Sequence, residues 1–489
     1  MKTIANSTLP ENVQLPHYDR QALRSRIVHF GFGAFHRAHQ ALLTDRVLNA
    51  EGGDWGICEI SLFSGDRLMS QLRAQEHLYT VLEKSGDGNQ AIVVGAVNEC
   101  LNAKLDSLAA IIEKFCEPQV AIVSLTITEK GYCIDPATGQ LDVSQPRIVH
   151  DLEQPETPHS APGILVEALH RRRQRGLSPF TVLSCDNIPD NGHVVKNAVL
   201  GMAKQRDPDL AEWIAQRVTF PGTMVDRIVP AATDASLAEI AQALGGVADP
   251  CAISCEPFIQ WVIEDNFVAG RPAWETAGAQ LVNDVLPWEE MKLRMLNGSH
   301  SFLACLGYLA GYQHISDCMA DADFRRAAHR LMMKEQAPTL RITGVDLTAY
   351  ADSLITRFSN PALRHRTWQI AMDSSQKLPQ RLLEGIRVHL AQGTEWPLLA
   401  LGVAGWMRYV SGTDDAGQEI DIRDPLAEKI RAIVAASGND ERVRALLTLS
   451  EIFGADLAHN ATFVAHLQRA WNLLAQKGAR QAVITVVNS

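Results

Sequence analysis

The stretch RIVHFGFGAFHRAHQ at residues 26–40 places Gly31 and Gly33 between an apolar run and a segment of helical pattern. A strand, a glycine turn and a helix in this order are typical of a dinucleotide site. The first glycine permits the tight turn, and the second lets a pyrophosphate approach the backbone at the helix N-terminus. The third glycine of this fingerprint is absent, and His36 stands at its position. The stretch alone leaves a nucleotide site and a plain turn as alternatives.

Strand-like and helix-like segments alternate through the first half of the chain. Apolar runs typical of strands lie at 26–30, 55–62, 120–128 and 180–187, and helical patterns lie at 35–50, 105–115 and 161–174. This alternation predicts a parallel sheet covered by helices on both faces. From about residue 286 the strand signal fades and helical patterns follow one another. We therefore predict an α/β fold, with a Rossmann-like dinucleotide-binding domain at residues 1–285 and a mostly α-helical domain at 286–489.

Composition restricts the classes of protein. The net charge of the 489 residues is −11, and the short basic run at 171–175 is interpreted as the solvated end of a helix, so we expect no nucleic-acid partner. No apolar stretch reaches the roughly 20 residues of a membrane span, and the first ten residues contain no secretory signal. The nine scattered cysteines indicate reduced thiols and a cytoplasmic location. Cys251 and Cys255 are interpreted as ordinary buried thiols, without a zinc site.

A polar stripe marks the segment WEEMKLRMLNGSH at 288–300. Drawn as an α-helix, it places Glu289, Lys292, Asn297 and His300 within an arc of about 140°, among leucines. Buried polar groups are costly unless they are paired, so four on one apolar stripe favour a site over a helix with a few satisfied polar residues. Their chemistry suits the interconversion of a carbonyl and an alcohol. A lysine can accept the hydroxyl proton when desolvation lowers its pKa, and asparagine amides can stabilise a developing alkoxide.

Six motifs extend this pattern along the chain: GFGAFHRAHQ (31–40), SLTITEKGY (124–132), SCDNIPDNG (184–192), TMVDRIVP (223–230), KLRMLNGSH (292–300) and DSSQKLPQR (373–381). With them the chain resembles the long-chain, zinc-independent polyol dehydrogenases, the mannitol dehydrogenase family. The K-x4-N-x2-H spacing of Lys292, Asn297 and His300 is the most specific feature. In this family the glycine turn normally lacks the third glycine, so the resemblance implies an NAD site.

The resemblance also implies roles for individual residues. Lys292 would be the general base, Asn187 and Asn297 would stabilise the oxyanion, and His300 would orient the reacting hydroxyl. Asp226 would hold the substrate or position the lysine, and Glu289 would gate proton exchange with water. The cofactor would contact Gly31, Gly33, Phe35, Arg37, Asp66 and Thr128, with Asp66 at the adenosine ribose. Structural alternatives stay open for three residues: Asn187 could serve a turn, Asp226 could pair with Arg227, and Lys377 could compensate a helix dipole.

The implied reaction is the NAD-dependent, metal-free interconversion of a keto sugar acid and its alcohol, D-fructuronate and D-mannonate. Arg366 and Lys377, on a helix predicted within 364–381, would bind the substrate carboxylate. Ser374 replaces a glycine of the family pattern, which leaves the substrate open. Two alternatives remain: the same chemistry on a neutral polyol such as mannitol or arabinitol, and a cofactor-binding sensor without turnover. We expect a monomer or a small homo-oligomer.

Overall fold

The computed structural model describes residues 3–62, 64–86, 88–135 and 138–489. The chain divides into two compact units, Met1–Leu286 and Pro287–Ser489. All strands of the described residues lie in the first unit: β1 (Arg24–Phe30), β2 (Trp55–Ser61), β3 (Tyr79–Ser85), β4 (Gly88–Val94), β5 (Val97–Asn102), β6 (Ile122–Leu125), β7 (Thr181–Ser184), β8 (Thr223–Asp226), β9 (Ile253–Cys255), β10 (Gln260–Glu264) and β11 (Gln280–Val282).

The central sheet has the strand order β5-β2-β1-β6-β7, and all its strands are parallel. Strands β6 and β7 are buried at every position, as expected for a sheet covered on both faces. The chain proceeds from β1 to β2 on one side and later returns to β6 on the other side. The carboxyl end of β1 is therefore a topological switch point, where open α/β sheets bind their ligands. The predicted Rossmann-like architecture is confirmed.

Two small sheets accompany the central sheet, with the orders β4-β3-β9 and β11-β10-β8. The sequence patterns predict β1, β2, β6 and β7 but not β5. Strand β5 lies at the sheet edge and alternates between buried and partly exposed residues, so its polar positions interrupt the apolar run. The sequence patterns also do not predict the strands of the small sheets, which range from three residues in β9 and β11 to seven in β3 and β4.

The helices of the first unit flank these sheets. They are α1 (Ala34–Ala38), α2 (Gln40–Glu51), α3 (Asp66–Ala74), α4 (Leu108–Phe115), α5 (Pro146–Glu153), α6 (Ala161–Gln174), α7 (Asn191–Arg206), α8 (Pro208–Arg217) and α9 (Asp234–Ala243). The prediction of a single helix at 35–50 is wrong in one respect, because the structure has two helices there. His39, at φ −123° and ψ −96°, separates α1 from α2.

Helices make up the second unit, as predicted. They are α10 (Leu286–Met291), α11 (Ser299–Leu309), α12 (Ile315–Ala320), α13 (Ala322–Arg330), α14 (Leu347–Phe358), α15 (Thr367–Ile370), α16 (Ser374–Leu378), α17 (Glu384–Gln392), α18 (Pro397–Val410), α19 (Ala427–Ala436), α20 (Arg442–Leu446), α21 (Ser450–Ala458) and α22 (Ala461–Val487). π-Helical segments lie at Lys292–Gly298, Leu331–Gln336 and Pro379–Leu383. A large apolar core runs through the unit.

The helix predicted within 364–381 is broken into α15 and α16. Asp373, at φ +52°, lies in the left-handed region between them. Side chains bind the backbone groups that the break sets free: Lys377 Nζ donates to the carbonyl oxygens of Ile370 and Met372, and Asp424 accepts from the Ser375 amide. These side chains compensate for the missing helical hydrogen bonds.

Two expectations about surface and thiols have clear outcomes. Cys251 and Cys255 are buried, and burial raises the pKa of each thiol to about 12, as expected for inert thiols. The basic run at 171–175 is only partly a solvated helix end. Arg172 is buried and donates to the carbonyl oxygens of Phe115, Glu117, Val120 and Ser178. Among the described residues, no helix combines the length and apolarity needed to cross a bilayer.

Candidate functional site

The glycine turn follows β1 at the switch point. Gly31 has φ +102°, and a Cβ at this position would lie 2.5 Å from the carbonyl oxygen of Thr126, which follows β6. Gly31 is therefore required both by its backbone conformation and by the close approach of the neighbouring strand. Gly33 precedes α1 at φ −78°, and the atom nearest to a Cβ there is 4.0 Å away. The turn thus leaves a side-chain-free surface that fits a dinucleotide pyrophosphate.

His36, at the position of the third glycine, points into the protein. Its Nε2 lies 2.7 Å from Glu59 Oε1 on β2, and both side chains are fully buried. Its ring stacks on that of His29 with 3.4 Å between ring centroids. The imidazole thus fills the space that close helix packing would need, and the chain bends at His39 after only five helical residues. Because the third glycine is missing, the helix cannot pack closely against the strand, and this break displaces it from the sheet.

Burial sets the protonation of this pair. Burial raises the pKa of Glu59 to about 7 and lowers the pKa of His36 to about 3. Between these two pKa values the uncharged pair is favoured, a carboxylic acid that donates to a neutral imidazole. Glu59 is buried in this contact, whereas Asp66, which follows β2, has an exposed side chain.

His29, His36 and Glu59 are also the one group of three possible metal ligands among the described residues, with ligand atoms within 4.8 Å of one another. The two rings are almost parallel, at 10°, so their nitrogen lone pairs lie in separate planes. Both nitrogens of His29 are engaged, Nδ1 with Ser124 Oγ and Nε2 with Thr126 Oγ1. This geometry does not suit one shared ion, and a metal-free reaction stays a prediction.

The remaining cofactor predictions fall around the turn. Phe35 stacks on His39 with 4.8 Å between centroids. Arg37 is buried, and its guanidinium donates to the carbonyl oxygens of Gly33 and Cys251. Its side chain therefore holds the turn from the inside. Thr128 is exposed at φ +65°, and its amide donates to Asp186. A β-branched residue in this conformation indicates backbone strain next to the switch point.

Asp66 is the first residue of α3, after β2. Its exposed carboxylate lies 3.1 Å from Lys104 Nζ, in the loop after β5. The pair joins the loops that follow two adjacent parallel strands. An acid in this position can accept hydrogen bonds from ribose hydroxyls.

Asn187 and Asp226 also belong to the first unit. Asn187 is exposed just beyond β7, and Asp226 is the buried last residue of β8. Arg227 forms an ion pair with Glu83 on β3. Asn191, in α7, braces the turn after β7, because its side-chain amide donates to the carbonyl oxygens of Asp186 and Thr223. The predicted catalytic roles of Asn187 and Asp226 stay predictions.

The polar stripe of the second unit is buried, as its pattern predicted. Glu289 lies in α10, Lys292 and Asn297 lie in a π-helical segment, and His300 lies in α11; each is between 6% and 8% exposed. The assumption of a regular α-helix was wrong. In an α-helix two residues five apart differ by about 140° around the axis. Lys292 and Asn297 have the i, i+5 spacing of the π-helix, which brings them onto one face.

His300 is packed between aromatic rings. Phe358 stacks on it with 4.6 Å between centroids, and His365 lies edge-on at 5.0 Å. Burial, followed by the nearby His365 and Arg381, holds the pKa of His300 well below its usual range. The imidazole is therefore neutral at pH 7 and can both donate and accept a hydrogen bond.

The two predicted carboxylate ligands have different surroundings. Arg366 is exposed at the start of α15, and its backbone pairs with His314. Lys377 is half-buried, and burial followed by the repulsion of Arg381 lowers its pKa to about 8. Ser374 points inward, where its hydroxyl accepts from Trp406 Nε1 at 3.0 Å. The sequence analysis did not single out Arg381, which ends the motif at 373–381, or His365, which lies within the helix predicted in 364–381.

A parallel sheet with a side-chain-free glycine turn at its switch point, and a helical unit with a buried lysine, asparagine and histidine, define a dinucleotide-dependent oxidoreductase. Comparisons with known families agree. The Mannitol dehydrogenase Rossmann domain matches residues 25–276, and the Mannitol dehydrogenase C-terminal domain matches residues 284–475. The chain belongs to the mannitol dehydrogenase family.

Individual relatives match over nearly the whole chain. An uncharacterized oxidoreductase of Escherichia coli K12, YeiQ, is 76% identical over 487 residues, covering 100% of both chains. The D-mannonate oxidoreductase of the same strain is 58% identical over 486 residues, covering 99% of both. The ternary complex of Pseudomonas fluorescens mannitol 2-dehydrogenase with NAD and D-mannitol is 39% identical, covers 98% of both chains and has a TM-score of 0.85. The chain is an NAD-dependent oxidoreductase of this polyol and sugar-acid dehydrogenase family, which excludes the sensor alternative.

Proposed function

We propose that this enzyme interconverts D-fructuronate and D-mannonate. The observation that carries the proposal is the buried set Glu289, Lys292, Asn297 and His300, whose residue types match the chemistry of a carbonyl and an alcohol. The identity of 58% with a D-mannonate oxidoreductase supports a sugar acid as the substrate. When bound, NAD supplies the hydride acceptor for the alcohol and, in its reduced form, the donor for the ketone.

Lys292 acts as the general base, taking the proton of the reacting hydroxyl during oxidation and returning it during reduction. Asn187 and Asn297 donate hydrogen bonds to the oxygen on which negative charge develops, and side-chain amides do so without a proton transfer of their own. The π-helical spacing of Lys292 and Asn297 supports this division of roles, because both side chains leave the same helical face.

His300 orients the reacting hydroxyl. As a neutral imidazole it offers one donor and one acceptor, and it does not compete with Lys292 for the transferred proton. Asp226 holds the substrate or positions the lysine. Glu289, in the turn before Lys292, relays protons between the buried lysine and water.

Lys377 binds the substrate carboxylate. Two of its three ammonium donors are used by the carbonyl oxygens of Ile370 and Met372, so one donor remains for a ligand. Arg366 is the second predicted ligand, and its exposure makes its contribution smaller. A charge-assisted hydrogen bond of this kind distinguishes a sugar acid from a neutral sugar.

A second candidate is the oxidation of a neutral polyol such as mannitol or arabinitol. The identity of 39% with a mannitol 2-dehydrogenase bound to D-mannitol favours it. The two candidates share all groups around the reacting carbon and differ only in whether a cation meets a carboxylate.

The test is a substrate panel read by the absorbance of NADH. D-Fructuronate and D-fructose are reduced with NADH, and D-mannonate, D-mannitol and D-arabinitol are oxidised with NAD. We expect D-fructuronate to have the highest kcat/KM. Lys377→Ala should lower kcat/KM for D-fructuronate about ten- to a hundredfold, and less for D-fructose. Arg364→Ala, which removes an exposed cation from the same stretch, is the matched control and should change neither. A wild-type preference for D-fructose or D-mannitol would reject the sugar-acid assignment.

A further inference from the structure

Three π-helical segments of the second unit meet at one residue. Gly298 ends the segment Lys292–Gly298, and a Cβ there would lie 2.6 Å from the carbonyl oxygen of Arg381 and 2.6 Å from Gln336 Nε2. Arg381 belongs to the π-segment Pro379–Leu383, and Gln336 ends the π-segment Leu331–Gln336. π-Helical turns are rare and frequently occur at functional sites. Their convergence here places unusual backbone next to Asn297 and His300.

Side chains from the segments Pro379–Leu383 and Leu331–Gln336 form hydrogen bonds with the end of the segment Lys292–Gly298 and with the first residues of α11. Arg381 Nη1 donates to Ser301 Oγ at 3.0 Å and to the carbonyl oxygen of Asn297 at 3.5 Å. On the other side, Ser299 Oγ donates to Gln336 Oε1 at 3.1 Å. Asn297 and His300 therefore lie within a five-residue stretch that is anchored at its first, third and fifth residues.

The Arg381 guanidinium has an unusual environment. Among the described residues no ion pair of Arg381 with a carboxylate is seen, and burial lowers its pKa to about 10. Arg381 is partly buried, and the hydrogen bonds of its guanidinium go to neutral acceptors, a hydroxyl and a backbone carbonyl. One nitrogen of the guanidinium, Nη1, reaches both acceptors from a planar group, whereas the ammonium of a lysine sits on a shorter side chain without this fixed geometry.

We propose that Arg381 is a positioning residue, which fixes Asn297 and His300 for catalysis by tying residues 297 and 301 together through one guanidinium group. This inference rests on the proposed roles of Asn297 and His300. The guanidinium donates to the backbone carbonyl of Asn297. It thereby fixes the backbone position from which the Asn297 side-chain amide extends. It holds His300 by binding the next residue, Ser301. The positive charge also disfavours protonation of His300, together with His365, Arg357 and Lys377.

The variant Arg381→Met tests this role. It removes both hydrogen bonds and keeps an unbranched apolar stem. We expect kcat to fall roughly tenfold to a hundredfold, because small displacements of catalytic groups have effects of this size. The dissociation constant of NAD should stay within about twofold of that of the wild type. Arg381→Lys keeps the charge on a shorter side chain, so it should recover part of kcat. Guanidinium ion added to Arg381→Ala should also restore part of the activity.

Arg294→Met is the matched control. Arg294 is a half-buried arginine of the same π-segment, and its guanidinium donates to the carbonyl and hydroxyl oxygens of Thr339, whereas that of Arg381 donates to residues 297 and 301. The variant Arg294→Met should have a lower melting temperature than the wild type, with little change in kcat. Equal losses of kcat in the Arg294 and Arg381 variants, or an unchanged kcat in a folded Arg381→Met enzyme, would overturn the proposal.

Hydrogen exchange of the peptide that covers residues 297–301 gives a readout that needs no substrate. It should become faster in Arg381→Met than in Arg294→Met, and equal exchange in the two variants would also overturn the proposal. If the wild-type enzyme turns over neither D-fructuronate nor D-mannonate, the substrate assignment fails. The exchange measurement and the kcat ratio on whichever polyol is turned over still decide the role of Arg381.

Discussion

His36 and Glu59 form a fully buried hydrogen bond beneath the glycine turn, with 2.7 Å between Nε2 and Oε1. The contact joins the first helix after the turn to the second strand of the central sheet. In other dinucleotide-binding folds a glycine at this position allows the helix to pack closely against the strand. The turn is thus supported by a polar pair in place of close backbone packing.

The pair predicts a pH dependence of stability. The pKa of Glu59 is raised from 4.5 to about 7 in the folded protein by burial, so the folded state holds this proton more tightly than the unfolded state. Its stabilising contribution is complete below about pH 4.5 and is lost as the pH rises through 7. Glu59→Gln, whose amide also donates to His36, lacks this loss. Urea unfolding at pH 5, 6, 7 and 8 should show the variant gaining stability relative to the wild type as the pH rises, and parallel curves would contradict the assignment.

The two glycines of the turn should respond differently to alanine. Gly31→Ala forces a side chain into a left-handed conformation and against the Thr126 carbonyl, so we expect a loss of about 1–3 kcal/mol in the free energy of unfolding. Gly33→Ala meets neither obstacle and should leave that free energy nearly unchanged. Its methyl group would occupy the surface that is predicted to face the pyrophosphate, so the affinity for NAD should fall. Denaturation and NAD titration of both variants separate the two effects. A normal NAD affinity of Gly33→Ala would place the cofactor elsewhere.

Asp66 should set the preference for NAD over NADP, because a carboxylate accepts from the ribose 2′-hydroxyl and repels a 2′-phosphate. Lys104 lies 3.1 Å from this carboxylate and holds its pKa below the usual range. We expect Asp66→Asn to raise kcat/KM for NADP about tenfold, since the lysine is then free to meet the phosphate. Adding Lys104→Ala should abolish that gain. A gain that survives without Lys104 would assign the phosphate to another cation, such as Arg67.

Lys292→Ala should lower turnover by about 10²- to 10⁴-fold, the usual contribution of general acid–base catalysis, while the dissociation constant of NAD changes little. Lys334→Ala is the control, because Lys334 is an exposed lysine of another π-segment and its loss should leave turnover unchanged. Steady-state kinetics and NAD titration measure both quantities. Near-normal turnover of Lys292→Ala would remove this lysine from the mechanism.

Much of the fold could be predicted from local patterns. The apolar runs at β1, β2, β6 and β7 are buried on both faces, so they stand out without any tertiary information. Strand β5 could not be found in this way, because its partly exposed edge position depends on its neighbours in the sheet. The same limit applies to the helix expected within 364–381. Its break at Asp373 is stabilised by Asp424, which lies far along the chain.

The sequence by itself determined the class of protein, because a glycine turn after a strand and the K-x4-N-x2-H spacing are local features that survive without coordinates. It also determined which residue types are available for the reaction. Only the tertiary structure decided how they are held. A histidine replaces the third glycine because Glu59 and His29, from different strands, complete its buried environment. Lys292 and Asn297 share a face because the helix widens to a π-turn where Arg381 and Gln336 pack against Gly298. These contacts join residues distant in sequence, and no local pattern encodes them.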